Sequence, residues 1–448
     1  MTLALAALRP CFEGAAPAVI ATCAADGTPN VANLSQVHYV DEAHVALSYQ
    51  FFNTTRKNIL SNPRATVQVV DPDSAAQYRL HIEYLRTETA GPLFEYMKAK
   101  LAGIASHSGM SKVFRLKGAD IYRVLSIDHV WGGPPPDAAA RPHRLAGLRA
   151  CLAAMTGCGD MADLFDVTLR GLEQHCRMPF SMLLMHDGKR GRLYTVASRG
   201  YRESGVGSEI AVGDGIIGVA AREGTPIRIG YAAPEYLYSR TIRQAFNEIG
   251  GADTLETEIP FPGLPDSSSQ LAVPLMLGSR LLGVLYVESP RDQHFTCEDE
   301  DALAVLGGQL ALSMELLSHC AEQQEEAAAA VRRPAVANGP AMEIRHYRTD
   351  HSVFIDNDYL IKGVAGAILW KLVGDHAETG RCEFSNRELR LDGSLPLPDL
   401  GDNLEARLIL LQRRLAERCP GLTIEKTGRG RFRLKVGRPL LLRSEPAD

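Results

Sequence analysis

The pattern of apolar and polar positions changes character twice along the chain. Over residues 18–127 it runs in short stretches, several rich in Val, Ile and Tyr. Those at 18–24, 30–40, 44–49, 65–70 and 120–127 predict strands. Asp26 and Gly27 mark a hairpin turn, since glycine supplies the positive φ such turns need. A short helix is predicted over 55–61, stopped by Asn62 and Pro63, and a longer one over 92–101. Residues 1–12 read as an opening amphipathic helix, because they lack a leader's basic start and Arg9 breaks their apolar run.

From Leu145 the spacing lengthens to a helical period that lasts to Cys176. Strands follow at 180–186 and 192–198, then a short helix at 215–223, a strand at 226–229 and paired strands at 271–277 and 280–288. A helix is predicted over 298–332, with Leu303, Leu306, Leu310 and Met314 (or Leu317) as its buried stripe. The last part mixes a strand at 353–355, a helix at 362–374, a segment at 385–391, a helix at 403–418 and a hairpin at 423–436 turned at Gly428, Arg429 and Gly430. Two stretches rich in Pro, Gly and Ala, 132–142 and 332–341, read as linkers. The expectation is a multidomain chain: a β domain over 1–131, an α/β domain over 143–331 and an α+β domain over 342–448.

Composition fits that picture. The chain has 448 residues, 45% hydrophobic and 23% charged, which suits three globular domains and excludes a disordered or fibrous protein. Its net charge of −5 provides no global field for nucleic acid, so a nucleic-acid partner needs a local patch. Nine cysteines are scattered, without a CxxC pair, which excludes a zinc ribbon and reads as reduced thiols; no metal-ligating set is evident. No uncharged apolar run reaches the ~18–20 residues of a membrane span. A cytoplasmic protein with no membrane partner is expected.

The first candidate site lies in ALSYQFFNTTRKNILSNPRATVQVV, residues 46–70. Thr54, Thr55, Arg56, Lys57 and Asn58 open a helix directly after a strand. Hydroxyls, helix N-terminal amides and adjacent cations suit a phosphate monoester, although the same composition also suits a solvated loop. The order of pieces around it is more specific: VIAT, then DGTPNVA, VALSYQ, TTRKNI, NPRA and a late KGADIYRV strand. Over about 14–128 this order resembles the pyridoxamine-phosphate-oxidase-like FMN-binding split barrel. The resemblance implies FMN as cofactor, with Thr55, Arg56 and Lys57 on the flavin phosphate. Asn58, Ser35, Gln36, Ser48 and Gln50 are further cofactor-binding candidates. It also implies a homodimer with flavin at the subunit interface.

Gly213, Gly215 and Gly218 form a formal GxGxxG, but the helix they open is too short for a dinucleotide crossover, and no acidic residue ends the next strand. The stretch GDGIIGVAAREGTPIRIG, followed by LAVPLMLGSRLLGVLYVES and FTCEDEDALAVLGGQLALSMELL, instead resembles a GAF sensory domain over about 145–317. What this domain binds is open; the lack of a His/Cys set with ligand spacing favours a small organic ligand over a metal or a covalent chromophore. The segment 231–270, with Tyr236, Tyr238, Arg240 and Arg243, reads either as a lid or as a surface insertion. Cys176, Cys297 and Cys320 as redox or tetrapyrrole positions, and His175, His186 and His294 as haem ligands, are weaker readings, since lone residues of these kinds are mostly structural.

In the third part, DNLEARLILLQRRLAERCPGLTIEKTGRGRFRLKV resembles the recognition helix and wing of response-regulator-type winged-helix domains. Residues 403–443 carry eleven Lys or Arg against three Asp or Glu, a local charge of +8. Leu404, Leu408, Leu411 and Leu415 form a buried stripe, which places Ala406, Ile409, Leu410 and Arg413 outward. Arg407, Arg413 and Arg414 on the helix, with Arg429 and Arg431 in the wing, are the expected DNA contacts. Leu410-Leu411-Gln412 departs from the family's frequent Arg-Leu-Arg, and an apolar outer face equally suits protein association.

The leading reading is a sensory transcriptional regulator, with split-barrel and GAF inputs and a DNA-binding winged helix as output. The alternative is an FMN-dependent oxidoreductase regulated by the other two domains. No catalytic acid, base or nucleophile stands out beside the flavin segment, and nothing in the sequence singles out His38 or His81 as an acid.

Overall fold

A computed structural model describes residues 3–12, 18–34, 37–50, 53–72, 74–107, 115–132, 144–230, 259–324, 340–397, 404–428 and 430–445. The first turns, Leu5–Phe12, form a 3-10 helix that buries Leu5, Leu8, Cys11 and Phe12, the three-residue spacing this helix type presents to one side.

The first sheet comprises β1 (Ala18–Cys23), β2 (Pro29–Leu34), β3 (Val37–Asp41), β4 (His44–Tyr49), β5 (Arg64–Val70), β6 (Gln77–Glu88) and β7 (Gly118–Trp131). Its order is β2-β1-β5-β6-β7-β4-β3, and every pairing is antiparallel. Helix α1 (Asn53–Ser61) joins β4 to β5, and α2 (Pro92–His107) joins β6 to β7. The run at 30–40 is two strands, and β6 lies where no strand was expected. Its alternation of Tyr78, Leu80 and Ile82, all fully buried, carries the period-2 signal nonetheless.

The helical run beginning at Leu145 is two helices, α3 (Arg144–Met155) and α4 (Met161–Cys176). The break falls at Gly157 and Gly159, and Asp160 caps α4 by accepting from the Asp163 amide. A second sheet follows, from β8 (Phe180–Asp187), β9 (Arg192–Arg199), β10 (Glu209–Ala211), β11 (Ile227–Ile229), β12 (Ser269–Leu277) and β13 (Arg280–Ser289), in the order β10-β9-β8-β13-β12-β11. Helix α5 (Gly215–Glu223) is short and ends at Gly224 in the left-handed region. Helix α6 (Cys297–Gln324) buries the expected Leu303, Leu306, Leu310 and Met314 in the core beside β12. Over Cys297–His319 it is also long and apolar enough to cross a membrane by length and composition.

The C-terminal part holds β14 (Met342–Tyr347), β15 (Ser352–Ile355), β16 (Asp358–Ile361), α7 (Gly363–Thr379), β17 (Glu383–Ser385), α8 (Asn386–Leu391), α9 (Leu404–Arg418), β18 (Leu422–Gly428), β19 (Arg431–Val436) and β20 (Leu440–Glu445). One sheet runs β16-β15-β14-β20, with β14 and β20 parallel; the other runs β17-β19-β18. A capping box at Ser385 and Glu388 starts α8.

The expected outward face of α9 is corrected. Ala406, Ile409 and Leu410 are buried, as are Leu408 and Leu411. One apolar stripe suffices to seat a helix on its own domain. Here the opposite side is apolar too, and it packs into a core continuous with Val196 and Val206 of the middle domain.

Candidate functional site

Thr55 and Asn58 lie in the first turns of α1 with buried side chains, while Thr54 and Lys57 are exposed. Asn30 Nδ2 donates to Thr55 Oγ1 at 2.9 Å and to Thr22 Oγ1 at 3.2 Å, and Asn58 Nδ2 donates to Thr22 Oγ1 at 3.1 Å. This set ties α1 to β1 and β2. It also leaves the Thr55 hydroxyl proton free to donate, since its oxygen is what Asn30 uses.

Arg56 turns the other way. Its guanidinium donates to Asp120 at 2.6 Å and Thr87 at 2.7 Å, and lies over the rings of Tyr49 and Tyr84, at 4.9 and 5.6 Å. Burial lifts the Asp120 carboxyl above its ordinary value, against the pull of Thr87 and Arg56. Arg56 thus neutralises a buried acid of β7. The phosphate-binding chemistry left at this corner is the Thr54 and Thr55 hydroxyls, the free amides opening α1, and Lys57.

Ser48 and Gln50 point to one face at the end of β4. Both are buried, and Ser48 Oγ and both amide atoms of Gln50 lack a hydrogen-bond partner among the described residues. Buried polar atoms are normally satisfied, so three orphans immediately before a helix N-terminus mark a place that a polar ligand completes. These residues fit FMN: orphaned donors and acceptors for its ring system and ribityl chain, and a helix start with a lysine for its phosphate. Ser35 and Gln36 lie outside the described residues.

A second cluster joins the β domain to the middle one. Lys100 of α2 reaches both Glu300 oxygens, at 2.5 and 2.6 Å; Arg228 of β11 pairs with the same carboxylate at 2.9 Å, and Tyr96 donates to it at 2.9 Å. Burial works against the Glu300 anion, yet Lys100 and Arg228 hold its pKa down at about 2. His38 packs against Tyr96, with centroids 5.0 Å apart and the rings tilted by 50°. Burial, then the Lys100 charge, pushes His38 down to about 4, so it is neutral and a poor general acid at neutral pH. His81 instead pairs with Asp128 at 3.0 Å.

The third cluster involves the arginines expected on DNA. Arg407 meets Asp187 of β8 at 2.7 Å, with both side chains under 5% exposed, and its guanidinium lies 3.9 Å from the Tyr194 ring centroid. Arg413 donates to the Val196 carbonyl at 2.9 Å and to Asp166 at 2.8 Å. Arg414 donates to the Leu360 carbonyl at 3.2 Å within its own domain. Ser204 donates to Glu417 at 2.6 Å, and Lys426 donates to Asp160 at 2.9 Å. Arg431 is half-buried beside the turn, and Arg429 lies outside the described residues. The structure therefore engages α9 with the middle domain, where the sequence placed it toward solvent.

In the middle domain, Glu288 accepts from the Leu264 amide at 2.9 Å, which pins part of the insertion to the sheet. Tyr236, Tyr238, Arg240 and Arg243 lie outside the described residues. A cleft of about 430 Å³ separates α2 from α5, lined by Phe94, Leu101, Val219, Lys98, Arg115 and Arg222, among others.

Family comparisons identify two parts of the chain. Residues 4–125 match the model "Pyridoxamine 5'-phosphate oxidase", and residues 160–314 match the model "GAF domain". The chain is thus a multidomain protein with a pyridoxamine-phosphate-oxidase-like β barrel followed by a GAF domain.

Among solved structures, the GAF domain of an Acinetobacter phosphoenolpyruvate-protein phosphotransferase is 20% identical, covering 40% of this chain and 96% of its own (TM-score 0.32). An FMN-binding protein from Syntrophomonas wolfei is 16% identical over 28% of this chain and 87% of its own (TM-score 0.24). HupZ from Group A Streptococcus is 21% identical over 27% of this chain and 90% of its own (TM-score 0.21). No curated protein matches the chain.

Proposed function

We propose that the protein is a cytoplasmic, homodimeric flavin-binding regulator of transcription, in which the GAF domain restrains a winged-helix output domain. FMN is held by Thr54, Thr55 and Lys57 at its phosphate and by Ser48 and Gln50 toward its ring, with Arg56 fixing the start of α1 through Asp120. Bound FMN supplies a redox-active ring. The GAF domain takes a small organic ligand.

The observation that carries this reading is the seating of α9 on the GAF domain. The arginine-rich C-terminal part has the local charge of a DNA-binding domain, yet Arg407 and Arg413 are spent on Asp187, Val196 and Asp166. An output surface occupied by a sensor domain is released when a ligand favours the undocked state, because a ligand shifts an equilibrium only by its differential affinity. The Lys100–Glu300–Arg228 cluster links the barrel to the first turn of α6, so the same two states are open to influence from the flavin side.

The test is selection of genomic fragments by the purified full-length protein and by an Asp187→Asn, Asp166→Asn variant, with flavin absorbance recorded on both. Recovery of an enriched sequence, stronger with the variant, supports the reading. A yellow protein from which neither form recovers any enriched sequence makes the C-terminal domain an association module and overturns transcriptional regulation.

A further inference from the structure

Helices α3 and α4 run antiparallel, and each turns a cysteine toward a glycine of the other. A Cβ on Gly171 would lie 2.9 Å from Cys151 Sγ; one on Gly147 would lie 2.5 Å from the His175 carbonyl oxygen and 3.5 Å from Cys176 Sγ. Only hydrogen at these two positions lets the helices come so close. The result is a thiol pair, Cys151 Sγ and Cys176 Sγ, 3.8 Å apart in the GAF core. Cys151 is fully buried, while Cys176 keeps 8% of its surface.

The two thiols are not equivalent. The hydrogen bond from Cys151 stabilises a thiolate on Cys176, burial opposes it, and the Arg144 charge adds to the stabilisation, so that Cys176 lies below the ordinary thiol value. The same bond, with burial, pushes Cys151 up. Arg144 also donates to the Cys176 carbonyl at 3.2 Å and pairs with Asp299 at 2.7 Å. Asp299 in turn accepts from the Thr296 amide at 2.9 Å, at the start of α6.

We propose that Cys151 and Cys176 form a redox-modification site, converted to an intramolecular disulfide by hydrogen peroxide or another small hydroperoxide. The Cys176 thiolate attacks the peroxide; an S–O bond forms, the O–O bond breaks, and the leaving oxygen takes a proton to give water or an alcohol. The Cys151 sulfur then attacks the sulfenic sulfur; the S–S bond forms, the S–O bond breaks, and hydroxide leaves as water with the Cys151 proton. Two thiols are oxidised by two electrons, and one hydroperoxide is reduced. Closing the pair draws together the helix ends that Arg144 ties to the first turn of α6, which makes the oxidation legible to the helix leaving the GAF domain. The site is independent of whether the barrel holds FMN.

The experiment treats the intact full-length protein with hydrogen peroxide, alkylates remaining thiols after denaturation, and maps peptides by mass spectrometry without reduction. The expected product is a Cys151–Cys176 linked peptide, lighter by two hydrogens than its parts and lost on reduction. Cys151→Ser should stop the reaction at a sulfenic acid on Cys176 that dimedone captures, and Cys176→Ser should give neither product. Amide exchange around Thr296–Glu300 should differ between oxidised and reduced wild type and not between the same samples of Cys176→Ser. Full alkylation of both cysteines after peroxide has oxidised exposed thiols elsewhere in the chain overturns the proposal, as does a disulfide that joins either one to another cysteine.

Discussion

Arg407 in α9 and Asp187 in β8 stand 220 residues apart and share a buried ion pair at 2.7 Å, closed on one side by the Tyr194 ring. A pair this deep in the protein gains little over apolar residues of the same size, but breaking it is costly because the survivor stays charged and buried. Its value is in where it fixes α9.

Replacing Asp187 with Ala should therefore lower the stability of the GAF and C-terminal unit by about 3–5 kcal/mol. Converting both partners to Leu should recover most of that loss. Chemical denaturation of the three proteins checks this; a single variant as stable as wild type would mean the pair is not formed in solution.

The cluster around Glu300 sets an acid limit on the junction between barrel and GAF domain. Its folded pKa of about 2 lies below the ordinary 4.5, so its contribution is complete above 4.5 and disappears as pH falls toward 2. By the shift this is about 3 kcal/mol. His38 acts higher: its neutral form is favoured down to about 4 instead of 6.5, so its contribution is complete above 6.5 and declines as pH falls to 4. Glu300→Gln should flatten the stability profile only below about 4.5, and His38→Gln only between the two His38 values. Denaturant midpoints measured across that pH range separate the two.

At the flavin site the two adjacent cations should behave differently. Lys57 is exposed and available to phosphate, so Lys57→Ala should weaken FMN about 10–150-fold, corresponding to the ~1.5–3 kcal/mol of a charge-assisted hydrogen bond, with little change in melting temperature. Arg56→Ala leaves the Asp120 carboxylate without its cation and should lower the melting temperature clearly. Flavin titration and thermal melts of both variants test this; equal FMN affinity in Lys57→Ala and wild type would remove lysine from the phosphate site.

Local signals in the sequence located most elements, because strand alternation, turn glycines and helix caps are encoded within a few residues. The helix-opening TTRKN and the stripe from Leu303 to Met314 are of this kind. The alternation in β6 is equally local, but its apolar positions are interleaved with the charged or polar Arg79, His81 and Glu83, which masks the strand signal. What sequence spacing does not carry is the partner of a charge. Asp120 is 64 residues from Arg56 and Asp166 is 247 from Arg413, so cations that read as free for phosphate or DNA are already paired. The apolar Ala406, Ile409 and Leu410 were the available hint, since a helix face meant for phosphates has little use for them.

That hint yields the last prediction. If the C-terminal domain binds DNA as proposed, then with α9 seated on the GAF domain the duplex would meet chiefly the β18–β19 hairpin, where Arg431 keeps no acidic partner among the described ion pairs. Each phosphate neutralised steepens the fall of log K with log salt by about 0.9. Wild type should thus show a shallow slope that Arg431→Ala reduces by about one contact. The Asp187→Asn, Asp166→Asn variant removes the acidic partners of Arg407 and Arg413 and so favours undocking of α9; its slope should be steeper than wild type by up to about two contacts, with tighter binding at low salt. Fluorescence anisotropy on the same duplex across a salt series reads both changes. If the variant binds with the wild-type slope, α9 does not reach the backbone even when released. Its arginines and apolar face would then serve only to hold the C-terminal domain in place.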